Sequence, residues 1–303
     1  MDREFIEAVS KIIPENQLFI DEPMKKHTTF RIGGNADLYI RTDGIEQIVK
    51  IIQLCNSESV PYFVLGNGSN VLVSDKGYRG VVIQIYNNIE EISVEEEVIV
   101  APAGMLLSRV ANFAKENELT GMEFSAGIPG TIGGGVMMNA GAYGGEFKDI
   151  VVSAKVIDKQ GNVLILSNEE LRFGYRHSVI KEKGHIVLEV TLRLKKGILS
   201  EIHDKMEEYK VARTTKQPLD YPSAGSTFKR PEGHFAGKLI MDAGLRGKTV
   251  GGAQISEKHC GFVINKDNAT AADVIELVRE VAQEVNAQFG VALEMEVIML
   301  GDF

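Results

Sequence analysis

Ser125-Ala126-Gly127-Ile128-Pro129-Gly130-Thr131-Ile132-Gly133-Gly134-Gly135, with Asn139-Ala140-Gly141-Ala142-Tyr143-Gly144 close behind, is the stretch on which the reading of this fold turns. Residues without a Cβ, or with φ fixed by proline, let several backbone N–H groups converge on one anion, such as a pyrophosphate. One glycine cluster alone is most simply a tight turn. Here a second cluster, Gly66-Asn67-Gly68-Ser69-Asn70, follows the apolar run Tyr62-Phe63-Val64-Leu65, which reads as a short strand. It supplies the opposing wall of such a cradle. Two clusters in one half of the chain predict a phosphate-bearing ligand.

The commoner nucleotide signatures fail. Gly247-Lys248-Thr249 resembles the end of a P-loop, but the glycine that motif needs five residues earlier is Asp242. No G-x-G-x-x-G follows a strand and opens a helix, so a Rossmann dinucleotide site is disfavoured.

Outward from the glycines, the patterning is mixed α and β. Ile45, Ile48, Val49, Ile52 and Cys55 form a helical stripe, opened by Asp43 and Glu46 at capping-box spacing. Residues 105–115 read as a second amphipathic helix. Residues 71–73 and 81–85 read as strands, 151–157 and 163–166 as a hairpin, and 186–194 as an alternating strand. A polar helix over 200–213 separates this part from the remainder, which places a domain junction near 195–197. Thr270 and Asp273 cap a helix striped by Val274, Leu277, Val278, Val281, Val285 and Phe289. Gly290 is its C-cap, and 291–300 follow as a strand.

With 303 residues, 44% hydrophobic and 25% charged, the chain can bury more than one core. Its 33 basic against 42 acidic residues give a formal charge of -9, which argues against nucleic acid or an anionic membrane as partner. No run approaches a membrane span, and the N-terminus lacks the basic and apolar regions of a signal peptide. Cys55 and Cys260 are far apart and the six His are dispersed, so neither a disulfide framework nor a metal site is expected. A cytoplasmic location is the default expectation.

Eight motifs in order then resemble one family. They are His27-Thr28-Thr29-Phe30-Arg31-Ile32-Gly33-Gly34, Leu65-Gly66-Asn67-Gly68-Ser69-Asn70, Gly127-Ile128-Pro129-Gly130, Met138-Asn139-Ala140-Gly141-Ala142-Tyr143-Gly144, Phe173-Gly174-Tyr175-Arg176-His177-Ser178, Ala224-Gly225-Ser226-Thr227-Phe228-Lys229-Arg230-Pro231, Gly251-Gly252-Ala253 and Leu293-Glu294-Met295-Glu296-Val297. The chain resembles the UDP-N-acetylenolpyruvoylglucosamine reductase (MurB) family of peptidoglycan synthesis. The resemblance implies an α+β protein: an FAD-binding region of the vanillyl-alcohol oxidase/p-cresol methylhydroxylase type over 1–196, in two subdomains split near 80, and a substrate-binding α+β domain over 197–303. It implies FAD as cofactor, NADPH as co-substrate and UDP-N-acetylglucosamine enolpyruvate as substrate. The short 178–184 stretch lacks the extended tyrosine-bearing loop of one subgroup, which points to the shorter subgroup.

Carried over by motif, the resemblance implies Arg176, Ser226 and Glu296 as catalytic. Hydride delivered to the terminal methylene of an enolpyruvyl ether builds negative charge on the neighbouring carbon. A fixed guanidinium stabilises that charge without giving up its proton. Ser226 is assigned the protonation of that carbon, for which a lone serine needs a relay or electrostatic activation. Glu296 acts as a protonated acid or through a shared hydrogen bond. Glu294 and Glu296 are two apart on an expected strand and share a face, so spacing does not choose between them; the resemblance chooses Glu296. The expected FAD contacts are Arg31, Gly66, Asn67, Gly68, Ser69, Asn70, Ala126, Gly127, Ile128, Pro129, Gly130, Thr131, Gly133 and Gly134. Expected substrate contacts are Tyr175, Arg213, Lys216, Gln217, Lys229 and Arg230. Arg230 stands where many relatives carry Asn, and Met295 where many carry Pro, which bears on substrate contacts. Two competing readings stand beside the reductase reading: an oxidase or dehydrogenase of the same flavin-binding superfamily acting on another substrate, and a flavin- or nucleotide-sugar-binding protein without catalysis.

Overall fold

A computed structural model describes residues 1–85 and 91–303. It resolves into two compact units, and the chain passes between them repeatedly. The first comprises Met1–Phe19, Leu38–Asn67 and Gly80–Arg213; the second comprises Ile20–Asp37, Gly68–Arg79 and Thr214–Phe303. This differs from the expected division at 196/197, in which each domain was one continuous segment. The physical reason is strand pairing inside the second unit: Ile298–Leu300 pairs in parallel with Val71–Val73, Leu300 opposite Val73. Segments more than 200 residues apart thereby share one ladder, and a linear cut would separate them.

The first unit is built on a five-stranded antiparallel sheet. Its order is Val163–Ser167, Val151–Ile157, Ile186–Arg193, Val98–Pro102, Ser93–Glu95. The expected hairpin is present, with Ile157 opposite Val163 across a turn closed by Asp158, whose carboxylate accepts the N–H groups of Gln160 and Asn162. Helix Leu107–Glu116 turns Leu107, Val110, Ala111 and Ala114 inward, and Ile45–Ser57 turns Ile48, Ile51, Ile52 and Cys55 inward. Those stripes join the sheet's apolar face in one continuous core, whose burial is the main stabilising term. The second unit has its own core. There, helix Ala271–Phe289 packs Val274, Leu277, Val281 and Val285 beneath the small sheet Thr249–Val250, Ala253–Ile255, Val263–Asn265.

Two helix starts illustrate the local rules. Thr270 and Asp273 form the expected capping box, and Gly290 ends the helix at φ +68. Asp43 does not cap its helix. Gly44 is the N-cap without a side-chain bond, and the Asp43 carboxylate instead accepts the Gln17 side-chain amide. The expected strand over 291–300 is regular only at Ile298–Leu300; Met295 forms an isolated bridge to Phe228.

Candidate active site

In the first unit the two glycine loops meet. Strand Tyr62–Leu65 pairs in parallel with the strand holding Val81 and delivers the chain to Gly66 and Asn67. The Asn67 side-chain amide donates to Pro129 O at 2.6 Å. A Cβ on Gly66 would crowd the side chain of Thr131, coming within 3.2 Å of its methyl carbon. Thus Gly66 and Asn67 pack directly against 129–131, and the two glycine loops are joined.

Of the glycines after Thr131, Gly133 and Gly135 face close packing neighbours. Residues Ile132–Met137 form a short helix, and the N–H of Gly133 goes to Ala103 O at 2.9 Å, that of Gly134 to the Thr131 hydroxyl at 3.4 Å. A Cβ on Gly133 would lie 2.9 Å from that of Ala103, and one on Gly135 2.9 Å from the Phe147 ring. Gly133 and Gly135 let a helix pack closely, which spacing alone could not distinguish from anion binding. Among the described residues, the N–H groups of Gly127, Gly130 and Thr131 have no acceptor, whereas that of Ile128 is taken by Ser125 O. These amides, together with the Gly66 wall, fit a cofactor pyrophosphate. Ala126 lies at the start of this loop, its N–H bonded to Glu123 O.

Arg213 belongs to this unit. Its guanidinium donates to Gly127 O, and a Cβ on Gly127 would lie 3.0 Å from Arg213 Cδ. The structure therefore sets an expected substrate contact against an expected cofactor loop, a contact between residues 86 positions apart.

Tyr175 and Arg176 occupy the corner of a tight turn. Gly174 and His177 exchange backbone hydrogen bonds at 3.0 and 3.2 Å across it, and Arg176 has φ +52. The left-handed region costs an ordinary residue roughly 1 kcal/mol. Arg176 also lies over the half-exposed Tyr175 ring, 5.3 Å from its centroid.

The second unit holds the other expected residues: Arg31, Gly68, Ser69, Asn70, Lys216, Gln217, Ser226, Lys229, Arg230 and Glu296. Gly68 has φ +63, and a Cβ there would overlap His27 O; its own carbonyl accepts the Thr29 N–H. Arg31, at φ +56, and Phe30 have carbonyls that accept from Asn265 Nδ2. Asn70 sits next to the glutamate motif: its side-chain amide donates to Glu296 O at 3.4 Å, and its carbonyl accepts the Ile298 N–H.

Ser226 is exposed and its neighbour Thr227 is buried. Thr227 donates its N–H to Gly261 O at 2.8 Å, accepts the Val263 N–H on its hydroxyl at 2.9 Å, and accepts the Glu296 N–H on its carbonyl at 2.8 Å. One residue therefore fixes both the Ser226 segment and the backbone of Glu296. His259 accepts the Gly261 N–H on Nδ1, which puts the proton of the neutral ring on Nε2; burial holds its pKa below the usual histidine range.

The two glutamates separate. Glu294 is exposed and pairs with Lys229 at 2.7 Å, an ion pair that holds its carboxyl below the usual range. Lys229 is thus engaged within the chain. Arg230 lies 4.0 Å from the Phe235 ring centroid, and its Nε donates to His234 O. Lys216 ends helix Leu199–Lys216 at the surface, and Gln217 follows it with its carbonyl bonded to the Leu219 N–H. Among the described residues no group of three His, Cys, Asp or Glu could hold a metal ion, and no helix is long and apolar enough to cross a membrane.

Asn139 and Ser178 belong to the motifs around Ala140 and Arg176, and their residue types alone mark no role. The buried Asn139 amide bonds to the Gly174 carbonyl of the Arg176 turn, and the buried Ser178 hydroxyl, next to that turn, bonds to Met137 O; only burial and partners reveal this.

A family profile described as "FAD binding domain" matches residues 36–167, and one described as "UDP-N-acetylenolpyruvoylglucosamine reductase, C-terminal domain" matches 217–300. The chain is similar to UDP-N-acetylenolpyruvoylglucosamine reductase of Agathobacter rectalis, 52% identical over 315 aligned residues with 100% of both chains covered. It also resembles the crystal structure of UDP-N-acetylenolpyruvylglucosamine reductase (MurB) from Thermus caldophilus: TM-score 0.79, 36% identity, covering 94% of this chain and 98% of that one. Alkyldihydroxyacetonephosphate synthase shares the fold alone, at TM-score 0.51 and 17% identity over 65% of this chain and 41% of its own.

Proposed function

The chain belongs to the UDP-N-acetylenolpyruvoylglucosamine reductase family, and on that premise we propose that it reduces UDP-N-acetylglucosamine enolpyruvate to UDP-N-acetylmuramate for peptidoglycan precursor synthesis, with FAD as cofactor and NADPH as reductant. The geometric observation that carries the reading is the meeting of Gly66 and Asn67 with 129–131, beside backbone amides that no group among the described residues occupies. Those amides and the Gly66 wall hold the cofactor pyrophosphate. Its substrates are soluble nucleotides, and the reaction belongs to the cytoplasm.

Bound at these amides, FAD would supply the hydride chemistry that links NADPH to the enolpyruvyl methylene. Arg176 stabilises the negative charge that then resides on the ether-bearing carbon and spreads into the substrate carboxylate. Ser226 gives that carbon its proton, so the double bond gains one hydride and one proton while NADPH becomes NADP+. Glu296 assists through a hydrogen bond to the same charge. Lys216, Gln217, Lys229 and Arg230 contact the substrate; the Lys229 pair with exposed Glu294 is open to exchange, since solvent-exposed ion pairs are weak.

The test is anaerobic. The purified yellow protein is reduced with NADPH, UDP-N-acetylglucosamine enolpyruvate is added, and the flavin spectrum is followed. Recovery of the oxidised spectrum is expected. A flavin that stays reduced overturns the reading and favours a binding protein without catalysis.

A further inference from the structure

The turn that presents Arg176 is held from outside. Gly174 and His177 close it by their two backbone hydrogen bonds, and the corner leaves Arg176 at φ +52. Such a corner does not hold a bulky residue in the left-handed region unless its surroundings do. The carbonyl of Gly174 accepts a further bond, from Asn139 Nδ2 at 3.0 Å. Asn139 is 2% exposed, and the same nitrogen donates to Glu146 Oε2 at 2.8 Å while its Oδ1 accepts the Lys148 N–H at 2.9 Å. Both amide hydrogens and the amide oxygen are used. Two acceptors face the nitrogen and a donor faces the oxygen, so only one orientation of the amide satisfies all three. On the other side of the turn, the wholly buried Ser178 donates its hydroxyl to Met137 O at 2.7 Å.

We infer that Asn139 is a positioning residue: its side-chain amide fixes the Gly174 end of the turn and thereby the direction of the Arg176 guanidinium. The inference rests on the proposed role of Arg176. Only an amide suits the site, because a carboxylate would set oxygen against Glu146 and against Gly174 O, and an apolar residue would leave buried polar groups unpaired. Asn139 itself has φ +42, a conformation that Asp and Gly also tolerate. Asn139→Asp therefore changes the hydrogen bonding without adding backbone strain.

The test separates the two half-reactions in stopped flow. In Asn139→Asp, reoxidation of reduced flavin by UDP-N-acetylglucosamine enolpyruvate is expected to slow on the order of tenfold to a hundredfold. Flavin reduction by NADPH, in which the role proposed for Arg176 has no part, is expected to stay within about twofold of the parent, since removing this contact disturbs only orientation on the substrate side. In an Arg176→Lys background the same change should add nothing further, because it acts through the guanidinium already removed. Equal loss in both half-reactions, or full multiplication with Arg176→Lys, overturns the inference. Should Asn139→Asp fail to fold, Asn139→Gly removes the same bonds without introducing charge and is read in the same way. Arg176 Nε–H order measured by NMR gives a readout independent of turnover: it should fall in either variant. Unchanged order overturns the positioning role, whereas failure of the parent protein to be reoxidised overturns the functional reading instead.

Discussion

Glu294 and Glu296 lie two residues apart, and their environments divide what their spacing does not. Glu294 reaches solvent and pairs with Lys229, while the backbone of Glu296 is tied to Thr227 and its carbonyl to Asn70. Glu296→Gln is expected to lower kcat on the order of a hundredfold, the usual effect of removing one group that stabilises developing charge. Glu294→Gln should leave kcat within about threefold, because its exposed ion pair contributes little. Steady-state kinetics of the two variants side by side check both, and full activity in Glu296→Gln would refute its role. The motif resemblance makes this choice. The residues alone do not, because the ion pair that occupies Glu294 joins it to Lys229, 65 positions away.

At the scale of elements, helix Ala271–Phe289 depends on a residue that sequence proximity does not supply. Its first free N–H groups, at Ala271 and Ala272, are accepted by the two carboxylate oxygens of Asp75 at 2.8 and 3.0 Å. Asp75 is thus a second cap, beside Thr270, and its negative charge lies at the positive end of the helix dipole. Asp75→Ala should destabilise the protein by about 1 kcal/mol, measured as a shift of the urea midpoint. No shift would mean that the Thr270 and Asp273 box suffices. Long helices with clear stripes were legible because their periodicity is local. The failed cap at Asp43 was not, since Gln17, which engages its carboxylate, lies in a distant segment, and neither was the shortening of the strand to Ile298–Leu300.

At the scale of the molecule, the second unit needs 20–37 and 68–79 as much as its C-terminal part. A fragment of residues 197–303 lacks Val71–Val73, the partner of Ile298–Leu300, and lacks Asp75. Expressed alone, it should show little near-ultraviolet dichroism and no cooperative unfolding; a sharp transition would refute this interdependence. The other core gives a pH prediction. Burial pushes the Cys55 thiol up from 9.0 to about 12. Between those values the unfolded thiol loses its proton and the folded one keeps it, so the unfolded state binds fewer protons and stability falls as pH rises. The fall is about 1.4 kcal/mol per pH unit from this group, begins near pH 9 and is complete near pH 12. Urea titrations from pH 8.5 to 10.5 should show a shallower decline in Cys55→Ala. Equal slopes would show that other groups dominate.

The sequence by itself determined the mixed α and β character, the long helices, the hairpin and, through eight ordered motifs, the family. Each of these is written in neighbouring residues or in residue identities, where periodicity, turn chemistry and motif order act locally. Tertiary structure decided which glycines face Thr131 and which merely admit Ala103 or Phe147, and set Arg213 on the Gly127 loop. It also interleaved the two units and gave Asn139 its hold on the Arg176 turn. A missing Cβ is the same letter whether a ligand or a ring fills the space, and a hydrogen bond between residues far apart leaves no period along the chain; the packing that supplies the neighbour decides the meaning.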